Sequence, residues 1–146
     1  MDMEARGSLI GSTPLDDGLE IFFYDQTRPV AGDRCMVQLL IDLPIPLSDS
    51  ILQELAGSGA QLEAFLERHG STVHYQVTKT RHFVPQAEAE SILKELRQEF
   101  LSAGLDYLRH PDFPRRYLLK VYREWTEKET SRLAHLKAVR AAESEQ

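Results

Sequence analysis

The chain is 146 residues long, 42% hydrophobic and 27% charged, ordinary usage for a soluble globular domain and too apolar for wholesale disorder. Its formal net charge of −6 argues against a dedicated nucleic-acid binder, whose affinity rests on neutralised phosphates. No stretch approaches the roughly 18 consecutive apolar residues of a membrane-spanning helix, and a single cysteine, Cys35, excludes an internal disulfide and fits a reducing compartment.

The charge is unevenly placed. Residues 1 to 108 carry 8 basic and 17 acidic side chains, residues 109 to 140 carry 9 and 4, and the last six add two acids. The basic segment can meet an external anion, the acidic remainder of its own fold, or a second copy of the chain. Residues 1 to 8 place acidic side chains ahead of their arginine and hold no apolar core, so no signal peptide is read there and the expected location is cytoplasmic.

Residues 1–17 mix Gly, Ser, Thr, Pro and Asp without periodicity and read as a flexible N-terminal arm, with a single domain expected over 18–146. Residues 19–25, Leu-Glu-Ile-Phe-Phe-Tyr-Asp, form the densest aromatic and β-branched run and predict a strand covered on both faces, hence central in its sheet. A polar connector of eight or nine residues, longer than a tight hairpin needs, leads to a second strand at 34–43. There Cys35, Val37, Leu39, Ile41 and Leu43 alternate against Met36, Gln38, Leu40 and Asp42, a half-buried pattern. Pro44 and Pro46 remove backbone donors and are expected to end regular pairing.

Two short helices follow, the first with Ser50 and Gln53 as a capping box, the second with Ser58 and Gln61 in the same roles and Gly70 as its C-terminal cap. Gly57-Ser58-Gly59 lacks a phosphate-loop lysine and reads as a linker. A third strand, 72–84, has Val73, Tyr75 and Val77 on one side and turns to Lys79 and Arg81 on that same side, so its second half should overhang. An amphipathic helix at 86–103 aligns Ala89, Ile92, Leu93, Leu96, Phe100 and Ala103, with Gly104 as its stop. Beyond a linker from Leu105 to Pro111, Asp112 is the candidate N-cap of a long helix at 113–142. The fold class is therefore α+β: a small, mainly antiparallel sheet of at least three strands, two short helices, an amphipathic helix and a long C-terminal helix.

Motifs that carry chemistry are sparse. His74 and His82 share a strand face but stand about 26 Å apart at the strand rise, and no Cys-His or H-x-x-x-H cluster is present, so neither a metal nor a cofactor is expected. No G-x-S-x-G elbow occurs, and Cys35 lies mid-strand, where a reactive thiolate is hard to stabilise; no catalytic residue is assigned.

Strand direction does gather one constellation. Arg28 and Arg34 in the connector should reach the end of the sheet that also carries Lys79, Arg81 and His82. Such cations can hold a phosphate or carboxylate, arginine bidentately, unless Asp25 and Asp33 neutralise Arg28 and Arg34 inside the connector. The expected function is a non-catalytic interaction or regulatory module with an unidentified protein partner. The alternative is binding or turnover of a small anionic or phosphorylated ligand at those five residues.

The last helix suggests assembly. About thirty residues make a rod of roughly 45 Å, longer than one side of a domain this size. Leu118, Tyr122 and Trp125 share a face that should pack on the sheet, whereas Leu133, Leu136 and Val139, flanked by Arg132, Lys137 and Arg140, form a candidate homodimer surface. Glu88, Glu95 and Glu99 offer it an acidic complement, and Glu124, Glu127 and Glu129 interrupt the basic run and weigh against nucleic acid.

Overall fold

A computed structural model describes residues 6–57 and 62–144. In chain order they form β1 (Ser8–Pro14), β2 (Glu20–Asp25), β3 (Arg28–Ala31), β4 (Arg34–Pro46), α1 (Asp49–Ala56), α2 (Leu62–His69), β5 (Thr72–Pro85), a single 3-10 turn (Gln86–Glu88), α3 (Ala89–Arg109) and α4 (Phe113–Ser144). The fold is α+β, with a five-stranded antiparallel sheet.

The connector expected between the first two strands is largely strand itself. Asp25 lies opposite Leu39 and Arg28 opposite Met36 in one unbroken register, and Gln26 N–H bridges the gap by donating to the Gln38 carbonyl at 2.9 Å. β2 and β3 therefore act as one interrupted strand along an edge of β4. The turn is confined to Gly32 and Asp33, with Gly32 at φ 57°, a left-handed conformation that favours glycine. β5 pairs with the other edge of β4, antiparallel, since contacts run from His74 beside Asp42 to Thr80 beside Gln38.

Residues 8–14, read from the sequence as part of a flexible arm, form β1 and pair antiparallel with β2. The expected halt at Pro44 is also corrected: β4 runs on to Pro46. Proline's fixed φ suits an extended strand, and pairing with β2 has already ended at Asp42, so no donor is needed there.

The chain clusters as two compact units, Met1–Ile45 with His74–Phe113, and Pro46–Val73 with Pro114–Gln146. In the first, Phe23 opposes Ile41, and both are fully buried with Val37, Leu39 and Leu43. α3 lays Leu93, Leu96 and Phe100 on this face at helical spacing, and the Phe100 ring meets Phe23 edge-on at 6.3 Å between centroids. Gly104 does not stop α3. It sits against the Phe100 ring, where an added Cβ would lie 3.4 Å away, and Leu108, 1% exposed, anchors the final turn. Packing of Leu108 overrides the glycine signal. The opposite face of β4 is closed as well, with Met36, Leu40 and Asp42 buried, so the half-buried reading of this strand gives way to one buried on both sides.

In the second unit, α1 is capped by Ser48 rather than Ser50: its Oγ accepts from Ile51 N–H at 3.4 Å. The capping box expected at Ser58 and Gln61 lies outside the described residues. α2 closes at Gly70, φ 73°, whose N–H donates to the Leu66 carbonyl. Phe65, fully buried, packs edge-on against Tyr122 and Trp125 of α4 at 5.1 and 5.6 Å between centroids. The Arg115 guanidinium pairs with Glu54 at 2.5 Å. Beyond Glu129 the helix changes character: residues 130 to 143 are all exposed. No helix among the described residues is long and apolar enough to cross a membrane.

Candidate functional site

The first unit contains a cleft of about 710 Å³, within the range of roughly 300–1,000 Å³ usual for small-molecule sites. One wall comes from the sheet where the apolar packing runs out: Ile10 of β1, Asp25 and Thr27 at the β2–β3 junction, Pro29 of β3 and Cys35 of β4. The facing wall is the start of α3, with Ala89, Glu90, Leu93, Lys94 and Arg97, preceded by Gln86. Gln86 N–H donates to the Asp33 carbonyl at 2.8 Å, which ties the helix start to the β3–β4 turn.

Four cations line this cleft, Arg28, Arg34, Lys94 and Arg97, against two carboxylates, Asp25 and Glu90. The excess is positive in a chain whose net charge is −6. The three arginines are each held differently. The Arg97 guanidinium carbon lies 4.6 Å from the centre of the Phe23 ring, a cation–π contact. Its Nη1 comes so near Gly11 that a Cβ there would sit at 2.5 Å, so the glycine leaves room for the arginine. Arg34 lies 3.7 Å from Asp33, itself largely exposed, a loose pair that solvent screens. Arg28 borders the cleft, but it stands opposite Met36 and its guanidinium reaches the Met36 sulfur at 3.8 Å, on the face of the sheet away from α3. Asp25 accepts from Thr27 N–H at 2.8 Å and thereby shapes the strand break. Thr27 Oγ1 is buried without a hydrogen-bond partner among the described residues.

Of the five cationic residues expected from the sequence, Arg28 and Arg34 line the cleft together. Lys79, Arg81 and His82 stand on β5 and are not among its lining residues; Arg81 pairs with Glu99 of α3 at 3.4 Å. Sequence reading missed Lys94 and Arg97. Their signal was positional: both border the Ala89–Leu93–Leu96 stripe on the helix, beside residues that pack on the sheet.

The polar face of the sheet holds a second cluster that the sequence did not mark. Asp42 is fully buried. His74 Nδ1 lies 2.9 and 3.2 Å from its two carboxylate oxygens, Gln76 Nε2 donates to it at 3.3 Å, and Arg6 lies 3.8 Å away. The row continues as Gln26 Nε2 donates to the Arg6 carbonyl, Gln38 Nε2 to Gln26 Oε1, and Thr80 Oγ1 to Gln38 Oε1. A carboxylate that orients an imidazole resembles half of a catalytic triad, but none of these side chains lines the cleft. Its role as built is to satisfy a buried charge. Among the described residues no group of three or more His, Cys, Asp or Glu side chains could hold a metal.

No family model matches the chain, and no curated protein and no solved structure matches it either.

Proposed function

We propose that the chain is a cytoplasmic binding module that takes a small organic anion in the cleft between the β2–β4 hairpin and the start of α3. The observation that carries this reading is the concentration of Arg34, Lys94 and Arg97 around one cleft in an otherwise acidic protein. The N-terminal end of α3 lies in the same wall, and helix amides there favour negative charge. Ile10, Pro29, Cys35 and Leu93 give the cleft an apolar lining, which suits a carboxylate or phosphate attached to a carbon skeleton better than an inorganic ion. Arginines that fork onto two oxygens would supply the geometry.

Calorimetric titration with nucleotides, phosphorylated metabolites and aromatic carboxylates tests this. At least one class should bind, and Lys94→Glu and Arg97→Glu should each weaken it by about tenfold or more, the value of a charge-assisted hydrogen bond. Arg81→Glu, outside the lining, should change little. An affinity that survives reversal at both Lys94 and Arg97, or that falls only with Lys79, Arg81 and His82, refutes the cleft as the site.

A second reading, an interaction module that pairs with another copy of itself, is supported by the wholly exposed stretch 130 to 143 and its Leu133, Leu136 and Val139.

A further inference from the structure

The stripe that α4 buries in its first half does not end where the burial ends. Leu118, Tyr122 and Trp125 repeat at alternating steps of four and three residues, and the same spacing continues through Glu129, Arg132, Leu136, Val139 and Glu143. Leu118 and Tyr122 are buried, whereas Leu136 and Val139 are 41% and 39% exposed. Steps of three and four mark the seam along which two helices pack. The distal seam reads acidic, basic, apolar, apolar, acidic, and that order decides how a second helix can lie on it.

A parallel copy in register would set Glu129 on Glu129, Arg132 on Arg132 and Glu143 on Glu143, three like-charge layers. An antiparallel copy centred on Leu136 would set Arg132 against Arg140 and Glu129 against Glu143, again like on like. Shifting the antiparallel copy so that Leu136 meets Val139 of its partner places Arg132 against Glu143 at both ends. Leu133 then lies beside the aliphatic stem of the partner's Arg140, and His135 beside the partner's Ala142. No like charges face each other in that layer order. Glu129 already holds the Arg132 guanidinium along its own helix, so the pair with Glu143 across the interface forms in competition with that contact.

Resting on the second reading above, we infer that two copies of the chain dock through the distal half of α4 in antiparallel order, with Leu136 packed on Val139 and Arg132 paired with Glu143 across the interface. The overlap from Arg132 to Glu143 spans about 18 Å, short of the area that a tight permanent dimer buries. The association is therefore weak and concentration-dependent.

Sedimentation equilibrium of the full chain from about 5 to 500 µM tests the assembly. A monomer mass throughout overturns the pairing itself and leaves the stripe to a different partner or to solvent. If a dimer forms, charge exchange tests the order. Arg132→Glu and Glu143→Arg should each weaken it about tenfold or more, and the double exchange should restore it, with helix content checked by circular dichroism. A dimer that ignores both single changes, or that the double exchange does not rescue, overturns the antiparallel order while leaving the assembly standing. A crosslink gives an independent readout. In a Cys35→Ser background, Leu136→Cys and Val139→Cys chains mixed under mild oxidation should form the mixed disulfide in preference to either homodimeric one; predominance of homodimeric disulfides overturns the pairing of Leu136 with Val139.

Discussion

Both faces of β4 are closed to water, one by hydrocarbon and the other around a hydrogen-bonded carboxylate. On the first, Val37, Leu39, Ile41 and Leu43 are fully buried, Ile41 lies opposite Phe23, and the Phe23 ring meets Phe100 of α3. On the second, Asp42 is equally inaccessible and is ringed by His74, Gln76 and Arg6. The two faces cost and return free energy differently. Apolar contact contributes in proportion to area and tolerates modest rearrangement, whereas a buried charge contributes only while every partner stays in place. The difference explains where the cleft forms. At the Cys35 end the apolar packing gives way to charged residues, Asp25, Arg28 and Arg34 among those that border the cleft.

The largest expected effect is on the hydrocarbon face. Phe23→Ala removes a ring that touches Phe100 edge-on and carries the Arg97 guanidinium, and should cost about 3–5 kcal/mol in urea unfolding. It should also weaken any ligand of the cleft, since Arg97 loses its platform. A loss near 1 kcal/mol would mean that this face is not the core. Asp42→Ala comes next. It strands the groups that converge on the carboxylate and should cost about 1–3 kcal/mol. Asp42→Asn, which keeps one acceptor oxygen, should cost less than Asp42→Ala. If the alanine change proves neutral, the polar face is solvated in solution and the contrast between the faces disappears.

The same contrast separates what could be read from the sequence from what could not. Alternation along 35–43 announced the apolar face, because one period-two pattern defines one side of a strand. Asp42 fell on the other side of that alternation, where a carboxylate reads as a solvent-facing residue; its burial depends on His74 and Gln76, more than thirty residues away. β1 was missed for a related reason. Ser-Leu-Ile-Gly-Ser-Thr-Pro has weak strand preference of its own and is held by pairing with β2. α3 outran Gly104 because a local stop signal is worth about 1 kcal/mol, less than burying Leu108 returns. That Arg28 and Arg34 stand at one end of the sheet followed from the direction of the hairpin, but which face the Arg28 side chain takes did not. Lys94 and Arg97 were not legible, because their place depends on which turn of α3 lies over which strand.

The smallest predicted effect concerns a phenol at the margin of the hydrocarbon side. Tyr75 packs edge-on against Phe113 at 5.3 Å, and Phe113 in turn meets Tyr107 at 5.0 Å. Burial raises the Tyr75 pKa above its ordinary 10.0, and the neighbouring Tyr107 charge raises it further. The folded state therefore holds the proton more tightly than the unfolded chain. That preference is present in full below pH 10 and is lost as the pH climbs from the unfolded value through the folded one. Tyr75→Phe removes the ionisation while keeping the ring. The variant's urea midpoint, set against that of the parent at about pH 8, reports whatever contact the hydroxyl makes. The change in that offset between about pH 8 and pH 11 reports ionisation alone, and it should favour the variant by a small amount, because the partial exposure of the ring screens the effect. An offset that stays constant across this range would mean that Tyr75 titrates alike in the folded and unfolded chains, and that the hydrocarbon side of the sheet ends before it reaches this residue.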